Sequence, residues 1–183
     1  MTRKGRSQQK GSGRVPLQQL RTLGDPALRQ RANAVTVFDD RLAKLAAAML
    51  DVMRREEGVG LAAPQIGVLS RVIVWRHPER EEEEHVFVNP EIVWRSETAT
   101  TASEGCLSVP GCTVEVSRAD EVTVAAQDLN GTPLEVTMTG LLARIMQHEV
   151  DHLDGRLILD RASPEERRRV LRELRERALA ADT

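Results

Sequence analysis

The chain has 183 residues, enough for one domain with its own core, or one domain with tails. Hydrophobic residues make up 40% and charged residues 30%, which excludes a wholly disordered chain. With 26 Lys and Arg against 28 Asp and Glu there is no basic excess to point to DNA. Trp75, Trp94, Phe38 and Phe87 are the whole aromatic set, which argues against base-stacking platforms.

Residues 1 to about 16 read as a flexible basic tail, with no apolar stretch of a secretory signal and no amphipathic helix of a transit peptide. No run approaches the ~20 apolar residues of a membrane span, so a cytoplasmic protein is expected. In that reducing setting a disulfide between Cys106 and Cys112 is not expected. The first helix is predicted over about 40–56, with Asp39 and Asp40 as N-cap candidates and Leu42, Leu45, Ala46, Met49, Val52 and Met53 on one stripe. Gly58 stands where the helix should stop. The following GVGLAAPQIG (58–67) holds too many Gly and Pro for a regular element.

Strands are predicted from there on. Val72–Trp75 is one. His85–Val88 and Ile92–Trp94 flank a turn signal at Asn89-Pro90. The acidic run Glu81–Glu84 reads as a solvated loop. Strands at 113–116 and 121–127 lead through a hairpin turn at Asp128–Gly131 into Pro133–Met138. A second helix is predicted over about 139–153 and a third over about 164–180. The third starts with Ser163, Pro164 and Glu166 in a capping-box pattern. The reading is α+β: antiparallel β-sheets around a central helix, with helices near both ends, in one catalytic domain over 17–183.

The central helix carries His148-Glu149-Val150-Asp151-His152. Two His at i and i+4 share a helix face and can hold one metal ion, with Glu149 beside them to take a proton from water. The same pattern is also compatible with two surface histidines on a charged helix. Catalytic ions commonly have three protein ligands, and no His follows His152. The glutamates of the third helix read as a solvated face. Cys106, in Glu104-Gly-Cys-Leu-Ser-Val-Pro110, could complete a Cys-His-His set or be a small buried hydrophobe.

GVGLAAPQIG at 58–67, EGCLSVP at 104–110 and QHEVDHLDG at 147–155 resemble, in order, the three signature motifs of peptide deformylases. Leu23-Gly-Asp-Pro26 and Val88-Asn-Pro90 also fit, and the resemblance spans about residues 17–162. It implies that Cys106, His148 and His152 ligate a divalent ion, Fe²⁺ in the cell, with Ni²⁺, Co²⁺ or Zn²⁺ as substitutes. It implies that Glu149 is the general acid/base and that the Gln65 amide and the Leu107 N–H face a developing oxyanion. The implied reaction removes the formyl group from formyl-methionyl nascent peptides and releases formate.

Gly60 is expected close to the substrate backbone, near Gly105. Val59, Leu141 and Ile145 are expected to form an apolar pocket for the first side chain, with the stem of Arg144 at its rim and no catalytic role for that residue. Thr113 stands where many relatives carry an aromatic or basic residue, so selectivity beyond the first side chain is expected to be weak. The third helix is read with Val170, Leu171, Leu174 and Ala178 inward. Arg167, Arg168, Arg169, Arg172, Arg175 and Arg177 then face outward, where with the basic tail they could contact the ribosome near the exit tunnel. Two competing readings are a zincin-like endopeptidase and a non-catalytic ribosome-associated module. The Gln65 motif and the Cys106 ligand argue against the first, and intact Glu149, Cys106 and Gln65 against the second.

Overall fold

A computed structural model describes residues 19–181. The basic tail read at 1–16 lies outside the described residues. Helix α1 (Asp40–Arg55) precedes β1 (Gly60–Ala62), β2 (Val72–His77), β3 (Arg80–Arg95), β4 (Ala99–Gly105), β5 (Thr113–Ala119), β6 (Glu121–Gln127) and β7 (Pro133–Thr139). Helices α2 (Gly140–Leu153) and α3 (Pro164–Ala181) follow. The strands form a five-stranded antiparallel sheet in the order β1-β2-β3-β6-β7 and a separate β4–β5 hairpin, so the α+β class holds.

The two helices that flank the large sheet explain its sequence. On β2, Ile73 and Trp75 face the α2 side, packing in one cluster with Met146, Val150 and Leu153. Val72 and Val74 face the other way, in one cluster with Met49, Val52 and Met53 of α1. A strand covered on both faces reads as a continuous apolar run, as Val72–Trp75 does. Each fully buried aliphatic side chain of these clusters contributes about 1.5–3 kcal/mol. A third cluster joins Val114 and Val116 of β5 to Ile158 and Leu159 of a 3₁₀ turn before α3 and to Val170 of α3, and it also holds Cys106.

Several local expectations hold in detail. Asp39 caps α1, its carboxylate accepting the N–H groups of Arg41 and Leu42. Ser163 Oγ accepts the Glu166 N–H at 3.2 Å at the start of α3. The Glu166 carboxylate does not complete the predicted box, because it accepts the Glu115 N–H of β5 at 3.2 Å. The left-handed residue after α1 is Glu57 (φ 54°), one position before the expected Gly58.

Other expectations are overturned. Asn89-Pro90 is no turn: β3 runs straight through it, and its register against β6 shifts between Val88 and Glu91. Asn89 sits at φ 52°, and its side chain pairs with both backbone groups of Val35 and with Gln127, each within 2.9 Å. The pair makes a bulge. Its missing Pro N–H and left-handed residue are tolerated where the ladder is already interrupted. Glu81–Glu84 is strand, not loop. It pairs with β2 and is held by Arg54–Glu84, Arg76–Glu81 and Arg80–Glu83 contacts. GVGLAAPQIG contains β1 and a 3₁₀ turn over Ala63–Ile66. In α3, Val170 is buried and Leu174 packs inward, but Leu171 is 44% exposed. The side chain of Ala178 is outside the described set. Arg169 and Arg177 turn inward, against the outward expectation.

The loop after α2 is tied to the N-terminal segment at Gly155 (φ +73°), where an added Cβ would lie 2.7 Å from the Arg29 carbonyl oxygen. Gly155→Ala should therefore destabilise the protein by about 1–3 kcal/mol, through backbone strain and a clash with main chain that has no free end to swing away. The shift in denaturation midpoint measures it; a stability equal to the parent would show that this loop relaxes freely.

Candidate metal centre and cleft

Helix α2 enters from the end of β7 and carries its apolar face onto the sheet, which leaves His148 and His152 facing the end of β4. There the chain leaves the strand in a turn closed by the Val109 N–H to the Cys106 carbonyl at 2.9 Å, and the Cys106 thiol is presented to the helix. Cys106 Sγ lies 3.3 Å from His152 Nε2, which lies 3.1 Å from His148 Nε2. All three donor atoms fall within 4.8 Å of one another. Bonds of about 2.0–2.3 Å to a tetrahedral ion place ligand atoms roughly 3.3–3.8 Å apart, so the three donors fit one small cation.

The donors are oriented from behind. Glu104 Oε2 lies 3.2 Å from His148 Nδ1, which sets the proton there and leaves Nε2 free to ligate. Glu104 also accepts two hydrogen bonds of 3.0 Å from Arg118 and one of 2.7 Å from Arg144. Arg118 reaches in turn to Asp151 at 2.5 Å, and Asp151 is held by Arg161. Burial alone would raise the Glu104 pKa, but His148 and Arg118 win, and the carboxyl falls to about 2.

Burial likewise opposes ionisation of Cys106. The neighbouring His152 and His148 overcome it and hold the thiol well below its ordinary range. For His148, burial opposes protonation, while Cys106 and Glu104 raise it well above the ordinary imidazole value. A cation bound by this set takes the place of that proton.

Glu149 is 4% exposed, and its Oε2 is buried without a hydrogen-bond partner among the described residues. Burial raises its pKa, and the opposing pull of His148 and His152 does not cancel the rise. A carboxylate held so accepts a proton more readily near neutral pH. Its room comes from Gly60: a Cβ at that position would lie 2.5 Å from Glu149 Oε1. Glycine is thus required there by the packing of α2 itself.

Gln65 is 1% exposed and its orientation is fixed. Its Oε1 accepts the Ala62 N–H at 2.8 Å, so the amide NH₂ faces Ser108 Oγ at 3.3 Å and Cys106 Sγ at 3.9 Å. Among the described residues, the Leu107 N–H has no acceptor. Gln65, Leu107, Cys106, His148 and Glu149 all line one open cavity of about 700 Å³. Val59, Gly60, Gly105, Leu141 and Ile145 line it too. Ile145 is buried, whereas Leu141 is 56% and Val59 37% exposed, so the apolar wall is deep on one side and open at the rim.

Sequence reasoning missed Glu104, Ser108, Arg118 and Asp151. Glu104, Ser108 and Asp151 stand inside the quoted motifs, which was the available signal; Arg118 carried none. Arg144 is in place, but its guanidinium is spent on Glu104 and on the Val116 and Thr100 carbonyls. It is a brace for the hairpin.

The family model described as polypeptide deformylase matches residues 17–168. The chain belongs to the polypeptide deformylase family. It is 46% identical over 149 residues to a peptide deformylase of Dictyoglomus thermophilum, covering 81% of this chain and 95% of that one. A peptide deformylase of Picosynechococcus is 42% identical over 163 residues, covering 88% and 87%. Among solved structures, the peptide deformylase of Legionella pneumophila matches with a TM-score of 0.84 at 44% identity, over 91% of this chain and 98% of that chain. That of Synechococcus elongatus, solved in complex with actinonin, matches with a TM-score of 0.83 at 40% identity, over 87% and 88%. The activity implied by the three motifs, metal-dependent hydrolysis of the N-formyl group of nascent polypeptides, is the activity of this family, and the chain is a hydrolase of that kind.

Glu104 gives a test of the bracing. Glu104→Gln should lower metal affinity about 10–100-fold, because the carboxylate that orients the His148 imidazole is lost. Metal competition with a chelator measures this, and unchanged affinity would reject the role. Acid unfolding supplies a second reading. With a folded pKa near 2 against an ordinary 4.5, Glu104 contributes stability that is complete above 4.5 and lost as pH falls from there toward 2. The variant should show a shallower acid loss in that window.

Proposed function

We propose that Glu149, Gln65 and the Leu107 N–H are the working groups of deformylation, around an ion held by Cys106, His148 and His152. The observation that carries this reading is the Gln65 amide, locked with its NH₂ toward Cys106 Sγ, while Glu149 Oε2, without a partner among the described residues, lies on the helix beside the two imidazoles. When bound, a divalent cation supplies Lewis acidity that brings a water near its deprotonation point at neutral pH. Glu149 takes the proton of the attacking water, and its raised pKa lets it keep that proton until the amine departs. Gln65 Nε2 and the Leu107 N–H donate to the formyl oxygen as negative charge collects on it. Glu149 then returns the proton to the leaving nitrogen, and formate and a free N-terminus result.

Thiolate and imidazole donors suit several divalent ions. Our reading is Fe²⁺ in the cell, with Ni²⁺, Co²⁺ or Zn²⁺ as substitutes. Ile145, Leu141 and Val59 are assigned to the methionine side chain of the substrate, and Gly60 and Gly105 to its backbone. We assign residues 17–183 to one catalytic domain acting in the cytoplasm. Among the described residues, no helix is long and apolar enough to cross a membrane.

Two variants separate base from ligand. Glu149→Ala should keep the metal and lose activity on formyl-Met peptides by about 10²–10⁴-fold, whereas Cys106→Ser should lose the metal itself. Metal content and turnover are measured on the same samples; loss of metal from the first or retention by the second would refute the roles. Cleavage of an unformylated peptide at an internal bond would favour an endopeptidase instead.

We also propose a ribosome contact through the outer face of α3. Arg167, Arg172 and Arg175 are exposed there and make no ion pair among the described residues, whereas Arg168 is paired with Glu165. Three free guanidiniums are a modest phosphate-binding surface. Reversing all three to Glu should abolish salt-sensitive co-sedimentation with ribosomes; unaltered sedimentation would remove the idea.

A further inference from the structure

Helix α3 extends past residue 168, where the family match ends. Two arginines beyond that point turn back onto the cleft. Arg177 donates from Nη1 toward the Gly111 carbonyl at 3.0 Å and the Pro110 carbonyl at 3.4 Å, and lies 3.8 Å from Cys112 Sγ. Arg169 donates from Nη2 to the Thr113 carbonyl at 3.1 Å, while its Nη1 is held by Glu173 at 2.9 Å. Pro110, Gly111, Cys112 and Thr113 are one continuous wall of the 700 Å³ cavity.

Thr113 opens β5 opposite Gly105 and Cys112 packs in the third cluster, but Pro110 and Gly111 between Val109 and Cys112 have few other ties among the described residues. Gly111 is in the left-handed region at φ +70°, and in the described residues the main-chain tie within the segment is a 3.4 Å contact from the Cys112 N–H to the Val109 carbonyl. A Gly-containing turn fixed by one long hydrogen bond is intrinsically pliant. Guanidinium donors on the Pro110, Gly111 and Thr113 carbonyls, with a contact to Cys112 Sγ between them, remove that freedom. The wall also lacks side-chain reach of its own, since Thr113 is short and Gly111 has none. Contacts to a peptide there must come from backbone held in place.

We infer that Arg177, assisted by Arg169, is a positioning residue for the substrate: the C-terminal helix of this chain sets the cleft wall that receives the peptide beyond its first side chain. The inference rests on the deformylase reading above, and on the assignment of the Leu141–Ile145 side to the first residue. A formylated Met derivative with no following residue ends before this wall. A formyl-Met tetrapeptide extends along it. A clamp acting on the wall therefore changes the preference between the two, whereas a general loss of stability lowers both together.

The test uses the full-length, metal-loaded enzyme, with kcat/KM measured on formyl-Met amide and on a formyl-Met tetrapeptide. The parent must hydrolyse both; if it hydrolyses neither while metal-loaded, the deformylase reading itself fails. In Arg177→Ala the ratio of tetrapeptide to amide kcat/KM should fall about fivefold or more, the loss appearing mainly in KM, with Arg177→Lys in between. A ratio equal to the parent's overturns the inference. A second measurement does not depend on turnover. Cys112 is 5% exposed beneath the Arg177 guanidinium, and Cys106 is occupied as a ligand in the loaded enzyme. Alkylation of Cys112 by iodoacetamide, followed by peptide mass, should be about tenfold faster in Arg177→Ala than in the parent. Should Arg177→Ala fail to fold, Arg169→Ala carries the same two expectations in weaker form; no change in either readout for the folded variant overturns the clamp.

Discussion

The site depends on one buried cation. Arg118 is 5% exposed and bridges Glu104 on β4 to Asp151 on α2. A guanidinium taken out of water must be paired on every side, and removing one partner of such a pair costs about 3–5 kcal/mol. The network therefore tolerates one docking of the β4–β5 hairpin against the helix and penalises its neighbours. Burial lowers the Arg118 pKa in isolation, but Glu104 and Asp151 raise it above the ordinary value, so the charge stays. The donors of the candidate metal centre are passengers on this arrangement: Cys106 lies two residues past Glu104, and His152 directly follows Asp151.

Packing and polar pairing divide the work on α2. Ala143, Met146, Val150 and Leu153 set the helix down on the sheet, a contact without strong directional preference. Rotation about the helix axis is set by its other faces. Arg144 reaches the hairpin carbonyls, Gln147 takes the Ala119 N–H and donates to its carbonyl, and Asp151 meets Arg118 and Arg161. A helix turns 100° per residue, so a slip by one position would exchange His148 for a neighbour and break all of these at once. Hydrophobic burial makes the helix stay; hydrogen bonds to the hairpin decide which residues face the cleft.

What the sequence made legible follows from how local each signal is. The stripe of α1, the cap at Asp39 and the hairpin at Asp128–Gly131 are settled within a few residues and read correctly, and His148 and His152 share one helix face as their spacing predicts. Asn89-Pro90 misleads because its partner, Val35, lies 54 positions away, and only that partner turns a turn signal into a bulge. Glu81–Glu84 reads as loop because its charges are balanced by Arg54 and Arg76 of other elements. Strand β4 has no apolar alternation, being mostly exposed until Glu104, so periodicity could not find it. Glu104 itself was in plain view inside a motif. Its role required knowing that Arg118, Arg144 and His148, up to 44 positions away, converge on it. Composition likewise counted the arginines of α3 without separating those that turn inward.

The three motifs turn out to be one object because the groups they supply are in contact. The first contributes Gly60, whose lack of a side chain lets the Glu149 carboxylate approach the backbone, and Gln65, whose carbonyl is tied to Ala62 so that its amide must face the thiolate. The second contributes the thiolate, and beside it Ser108 and Glu104, which touch Gln65 and His148 respectively. The third contributes two imidazoles and a carboxylate. That carboxylate is buried enough to hold a proton and still lies along a cavity open to a peptide. Each constraint is met by a residue from a different motif. A change that looks conservative in one, such as a methyl group at position 60, would therefore act on the buried carboxylate of another.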